Sequence, residues 1–254
     1  MLLTDLLSGT KVVSGFVPNP SLSRTLKGAT NDAPSHGKWQ KKSGLDRETF
    51  IQSGLRLALG SAKSDLTYRD IGKDLGIDAT AIYRHFRNKD DLLEQLLDRI
   101  LMQVCECTAT PVEDWERRLE EFAEHTLRSF LANPPIALVA NSYTTNGPGE
   151  LATMELILEC FAQAGLRGAQ LASQYAVFAS YLISSSVGLV RDYLDSPDDL
   201  SGTWFGGPLA TNCPNHLRTA ELQAEILNLD QRALFIAGAR QLIRSAKQLA
   251  AAPA

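Results

Sequence analysis

Residues 66–93 read LTYRDIGKDLGIDATAIYRHFRNKDDLL, and the spacing of their caps and apolar positions decides the fold. Thr67 is placed to cap a first short helix, with Asp70 at the third helical position as a short capping box. Leu66 before the cap and Ile71 after it are spaced as a hydrophobic staple. Gly76 follows Leu75, where a helix end favours a residue tolerant of left-handed geometry. The punctuation then repeats. Asp78 can cap a second helix, with Ile77 and Ile82 as its staple, and Asn88 can cap a third, with Asp91 at its third position and acidic residues near its positive end. Two short helices joined by a tight turn, with a third beginning directly after, form the layout that sets a second helix into the DNA major groove.

On that second helix, Ile82 and Phe86 are four apart and share one face, so they should pack inward. Thr80, Ala81, Tyr83, Arg84 and His85 then point elsewhere, with no apolar periodicity to bury them. Arg84 can pair bidentately with a guanine edge, and Thr80 and Ala81 suit a thymine methyl or a base edge. Tyr83, His85 and Lys89 suit phosphate oxygens, which take hydroxyl, imidazole and ammonium donors without reading sequence. Lys89 also falls in the first turn of the next helix, whose free amides favour anions. The plainer reading of Arg84, Arg87 and Lys89 is a solvated basic face. Two stapled helices with Gly76 between them argue against it.

The run from Leu66 through Lys89, with Tyr83, His85, Phe86 and Asn88-Lys89 in place, resembles the DNA-binding domain of the tetracycline-repressor (TetR) family. The resemblance implies a helix just upstream. Residues 46–59, DRETFIQSGLRLAL, supply one: Asp46 is a plausible cap, and Phe50, Ile51, Leu55, Ala58 and Leu59 form an apolar stripe. It also implies DNA contacts near the start of the first helix of the motif, at Thr67, Tyr68 and Arg69. The connection GSAKSD at 60–65 departs from the family by being slightly long and polar.

The rest of the chain agrees with a cytoplasmic regulator. Its 254 residues allow one or two domains, and 44% hydrophobic residues suffice for a sizeable core. No apolar run is long enough to span a bilayer, and the start MLLTDLLSGTKVVSGF makes a poor signal peptide. The four cysteines do not suggest a disulfide framework. Cys105 and Cys107 would face nearly opposite sides of a helix and cannot chelate one metal together. Ordinary thiols are the expectation, with a redox sensor as the lesser alternative. No serine-nucleophile elbow, phosphate loop or metal-ligand set is present, so no enzyme, metal or cofactor is expected. The net charge of −4 is unevenly spread. Residues 38–104 carry 12 Lys and Arg against 10 Asp and Glu, whereas residues 105–254 carry 10 against 17. The basic excess thus falls on the DNA-binding part.

The expected organisation is all-α, in two parts. Residues 1–44 read as a mobile arm, whose Lys38, Lys41 and Lys42 could reach phosphates or only aid solubility. Residues 45–104 form the three-helix, helix-turn-helix DNA-binding domain with a long linking helix. Residues 105–254 form a helical effector-binding and dimerisation domain. Within it, helices are predicted over 113–131, from Asn133, over 150–164, over 167–194, and over 219–248 with a break at Leu229-Asp230. A Pro/Gly-rich loop at 195–218 could close over a pocket or cross onto a partner; a disordered excursion is equally open.

The resemblance further implies a homodimer, formed through 167–194 and 219–248, and a ligand pocket inside the body. Ala172, Ala176, Ala179, Ser180, Ser184 and Gly188 permit close helix approach. Large apolar or amphipathic residues suited to a pocket are Trp115, Phe122, His125, Tyr143, Met154, Cys160, Phe161, Tyr175, Phe178 and Tyr181. Each alone is more often plain core. His125 and Tyr143 are the expected polar contacts. The partners expected are therefore a double-stranded operator with an inverted repeat, a small-molecule effector and a second copy of the chain, with no membrane. Repression relieved by ligand is what the resemblance implies. A corepressor, or a helix-turn-helix that binds protein, are the alternatives.

Overall fold

The computed structural model describes residues 45–195 and 216–251, and every regular element among them is helical. The arm at 1–44 and most of the loop at 195–218 lie outside the described residues. The first helix, Arg47–Ala58 (α1), is capped by Asp46, which accepts the Thr49 N–H at 2.9 Å. It buries Phe50, Ile51 and Ala58, while Leu59 is the exposed C-cap residue.

Helix Tyr68–Leu75 (α2) carries the full capping box: Asp70 N–H donates to the Thr67 hydroxyl, and Thr67 N–H to the Asp70 carboxylate, both at 3.2 Å. Gly76 closes it in the left-handed region (φ 67°), and the Ile77 N–H returns to the Gly72 carbonyl at 2.9 Å. A Cβ at Gly72 would stand 3.0 Å from the Ile77 carbonyl oxygen, so the turn folds tightly over that position.

The second helix of the motif differs from expectation. Residues Ala79–Arg84 wind as a 3-10 helix rather than an α-helix. Asp78 accepts the Thr80 N–H at 2.7 Å, and Ala81 N–H bonds back only three residues, to the Asp78 carbonyl. Ile77 and Phe86 are both buried at the ends of this short stretch, with Ile82 fully buried between them. Pinning a six-residue segment at cap and core favours the tighter i, i+3 pattern. The Phe86 N–H returns to the Ile82 carbonyl, which seats both side chains on one face as expected.

Asn88 caps the long helix Lys89–Cys107 (α3), accepting the Asp91 N–H at 2.8 Å. α3 buries Leu92, Leu93, Leu96, Leu97, Ile100 and Val104, and with them the carboxylate residue Asp98. After one 3-10 turn come Trp115–Ala132 (α4), the short Pro134–Ala137 (α5), Pro148–Gln163 (α6) and Gly168–Asp195 (α7). Beyond the loop, the helix predicted from 219 is replaced by two single turns, Leu217–Glu221 (α8) and Gln223–Leu227 (α9). The expected break holds: Asp230 accepts the Arg232 and Ala233 N–H groups at 2.9 and 3.0 Å and opens Gln231–Ala251 (α10).

Two joints organise these helices. α7 and α10 run antiparallel, fixed by Gln174 Nε2 donating to the Leu242 carbonyl (2.8 Å) and the Tyr181 hydroxyl donating to the Phe235 carbonyl (2.9 Å). Tyr181 stacks on Phe235 at 5.7 Å, and a Cβ at Gly238 would meet its hydroxyl at 2.0 Å. The other joint sets α6 across α3, where Gly149 packs on the α3 backbone. Among the described residues, no helix is long and apolar enough to cross a membrane.

Candidate nucleic-acid interface and body site

The capped 3-10 segment presents Thr80, Tyr83 and Arg84 to solvent, and Arg69 is exposed on α2. Tyr83 is 61% exposed although aromatic, which marks it as a side chain the core does not need. With Lys73 and Arg87, the two arginines form a set of exposed cations that have no carboxylate within ion-pair distance among the described residues. Lys73 and Arg87 were not among the expected DNA contacts; their signal in the sequence was only charge beside the motif.

The other expected DNA contacts are less free. Thr67 is half-buried, and its hydroxyl donates to Asp70 at 2.6 Å within the capping box. Tyr68 lies in the core, its ring edge-on to Tyr83 at 5.0 Å. Its hydroxyl is buried without a hydrogen-bond partner, and burial pushes it up to about 12. Ala81 is half-buried against the core. His85 is half-buried with its ring 4.9 Å from Phe50. Lys89 forms an ion pair with Asp65, at the end of the polar connection after α1. Arg47 lies over the Phe86 ring at 4.8 Å and pairs with Asp91 at 2.8 Å, tying α1 to both the recognition segment and α3.

In the body, the structure gathers three of the expected aromatic residues: Trp115 meets Phe161 at 6.4 Å, and Phe161 meets Phe178 edge-on at 5.6 Å. Phe122, Phe161, Phe178 and Cys160 are buried core. Met154 and Tyr175 are half-buried, and Tyr181 is engaged with Phe235 at the α7–α10 joint. His125 is half-buried, its Nδ1 has no hydrogen-bond partner, and burial lowers its pKa so that the ring is held neutral. Tyr143 goes elsewhere: its hydroxyl donates at 2.6 Å to Asp90, in the first turn of α3. The Asp90 carboxylate in turn pushes that hydroxyl up to about 12. A surface groove of about 360 Å³ opens between α1, α3 and the start of α6, lined by Ile51, Asp98, Met102 and Pro148 among others, and it contains none of the expected pocket residues.

Sequence reasoning missed Asp98. Its carboxylate accepts the N–H groups of Gly149 and Glu150 and the Thr145 hydroxyl, so α3 is bonded to the start of α6. The signal was a carboxylate between Leu97 and Ile100 on an otherwise apolar stripe.

Known proteins match this arrangement. Residues 63–96 match the family of bacterial regulatory proteins described as tetR family, and residues 108–201 match the tetracyclin repressor-like C-terminal domain; together these ranges cover half of the chain. An HTH-type transcriptional repressor of Mycobacterium tuberculosis is 25% identical over 186 residues, 71% of this chain and 69% of the relative. The HTH-type transcriptional repressor DrrR1 of Streptomyces coeruleorubidus is 25% identical over 65% of this chain and 61% of its own length. The fold recurs in the Streptomyces coelicolor TetR family protein ActR in complex with actinorhodin, with a TM-score of 0.67 at 19% identity over 83% of this chain and 100% of that one. On the two matched domains, the stapled motif and the helical body behind it, the chain belongs to the tetR family of bacterial regulatory proteins.

Proposed function

We propose that this chain is a cytoplasmic transcriptional repressor that binds an inverted-repeat operator as a homodimer and is released by a small-molecule effector. The observation that carries the reading is the outward set of Thr80, Tyr83 and Arg84 on a segment anchored from behind by Ile82 and Phe86. Arg84 reads a guanine edge, Thr80 contacts a base edge, and Tyr83, Arg69, His85 and Lys89 hold phosphates. Residues 45–104 act as the reading head and the helices after them as the effector and dimerisation domain.

Dimerisation is supported by what α7 and α10 leave uncovered. Ala172, Ala176, Ser180, Ser184 and Gly188 are exposed along α7, and Leu234, Ala237 and Gln241 along α10. Small residues on one long face suit close isologous packing. An effector domain is supported by the helical body and by analogy with ActR, whose fold is similar and which is known in complex with actinorhodin. An effector relieves repression only if it binds the DNA-competent arrangement less well than the alternative.

The test is a genomic pull-down with the purified protein, followed by band shifts of recovered fragments at two salt concentrations. A shared inverted repeat bound tightly and with steep salt dependence is expected. Enrichment of no DNA, or salt-independent binding, overturns the reading. Sedimentation of the protein and its operator complex measures the stoichiometry; one chain per operator would overturn the dimer.

A further inference from the structure

Among the described residues of the body, Arg118 is a partly buried cation with no carboxylate partner. Arg118 of α4 is half-buried, and its Nη1 donates to the Thr110 carbonyl at 2.5 Å. Its Nε is buried without a hydrogen-bond partner, and among the described residues no carboxylate lies within ion-pair distance of the guanidinium. Glu121, one turn further on, is engaged elsewhere: it accepts the N–H groups of Ala109 and Thr110 at 3.2 and 2.8 Å. Two thiols sense the guanidinium charge, Cys105 of α3 and Cys160 of α6. Burial pushes both upward, Cys160 to about 11, so neither supplies a thiolate. The Cys160 thiol also stands within hydrogen-bonding reach of the Arg118 side chain. A guanidinium withdrawn from water with only a carbonyl and a neutral thiol as acceptors keeps part of its desolvation penalty.

The neighbours give this position a shape. Trp115 lies one turn before Arg118, half-buried and against Phe161. His125 lies seven residues after Arg118, hence on nearly the same face and about 10 Å along the helix. Its neutral ring carries the second unpartnered buried nitrogen of α4. One helix flank thus offers a cation, a neutral imidazole and an indole beside them.

We infer that the effector is an amphipathic organic anion, whose carboxylate or equivalent group pairs with Arg118 while its apolar part lies along Trp115 and its far end reaches His125. This inference rests on the reading of the body as an effector domain. Charge-assisted pairing with a planar fork is what a carboxylate finds at an arginine and a neutral isostere does not.

The experiment uses the full chain and two related dyes, anionic 8-anilinonaphthalene-1-sulfonate and neutral N-phenyl-1-naphthylamine, titrated by fluorescence. Both should bind the wild type. Arg118→Met should weaken the anionic dye about tenfold, the size of one charge-assisted contact, and leave the neutral dye within about twofold. Arg118→Lys should fall between, and Arg232→Met, which removes an exposed charge from α10, should change neither. On the unaltered protein, naphthalene-1-acetate should displace the anionic dye and naphthalene-1-acetamide should not, which keeps the test independent of whether Arg118→Met folds. Equal losses for both dyes, an unaltered anionic affinity in Arg118→Met, equal displacement by acid and amide, or no dye binding by the wild type would each overturn the inference. Operator band shifts run in parallel separate the two readings: lost DNA binding in the wild type sinks the regulator, whereas intact DNA binding without anion preference sinks only the effector class.

Discussion

The carboxylate of Asp98 caps α6 from a different helix, accepting the N–H of Glu150 at 3.0 Å. It also takes the Gly149 N–H at 3.1 Å and the Thr145 hydroxyl at 2.8 Å. The first amides of a helix need acceptors, and α6 begins at Gly147-Pro148 with no capping side chain of its own. α3 supplies that acceptor. α3 begins three residues after the Ala79–Arg84 segment closes at His85, so this bond set joins the helix that follows that segment to the start of α6.

Replacing Asp98 should therefore destabilise the whole fold. Asp98→Ala leaves the buried Gly149 amide and the partly buried Glu150 amide without their acceptor, while the Thr145 hydroxyl keeps Glu150, and about 1–3 kcal/mol of unfolding free energy should be lost in urea denaturation. Asp98→Asn, which keeps an acceptor oxygen, should lose less. Equal stability of Asp98→Ala and wild type would remove the cap from the account.

Gly149→Ala should be more damaging still. A Cβ there would stand 2.0 Å from the Asp98 carbonyl oxygen, a backbone atom that cannot swing aside. The helices must separate, and a loss above about 2 kcal/mol is expected from overpacking and the broken cap. A thermal midpoint within a degree or two of wild type would show that the joint is softer than it looks.

Asp65→Asn should tighten DNA binding. Asp65 pairs with Lys89, so one cation of the proposed interface is partly neutralised within the protein. Releasing it should strengthen the phosphate contact of Lys89, steepening the slope of log K against log salt by at most about 0.9. A decrease in affinity would mean that Asp65 positions Lys89 rather than competing for it.

Arg84 and Lys89 should separate specificity from affinity. Arg84→Ala is expected to lose about 1–3 kcal/mol of discrimination at one base pair, read by band shifts on a set of singly altered operators. Lys89→Ala should weaken every sequence about equally. Sequence preference untouched in the first, or a selective loss in the second, would reverse the assigned roles.

Much of the head was legible because its determinants are local. Thr67, Asp78 and Asn88 each bond an amide two or three residues away, so the cap and its partner sit in one short window of sequence. The 3-10 winding of Ala79–Arg84 was not legible, since it depends on how the segment and Phe86 seat against α1 and α2. The Tyr143 bond to Asp90 and the role of Asp98 were not legible for the same reason at longer range: their partners are 53 and about 50 residues away. The aromatic residues of the body could be recognised as apolar helix faces, but periodicity does not distinguish the packed Phe161–Phe178 pair from the half-buried Trp115.

Acid should loosen the head at α2. The Thr67 hydroxyl bonded to Asp70 holds its carboxyl below the ordinary value of 3.8, with the Thr67 amide and Lys63 assisting against burial. A lowered folded value means that this stabilisation is complete above about 3.8 and is lost as pH falls through the folded value. Asp70→Asn should flatten the pH dependence of stability in that acidic window and leave it unaltered near neutrality. A wild-type dependence retained in full by Asp70→Asn would assign it to other carboxylates.

The six residues of Ala79–Arg84, at about 2.0 Å each, extend about 12 Å. That is the length of three or four base-pair steps at about 3.4 Å. Words this short recur by chance throughout any bacterial chromosome, so one head alone is a poor address. In the dimer proposed above, α7 and α10 would act as a ruler. The distance between two short words, rather than the words themselves, would then be the rarest thing the protein could find.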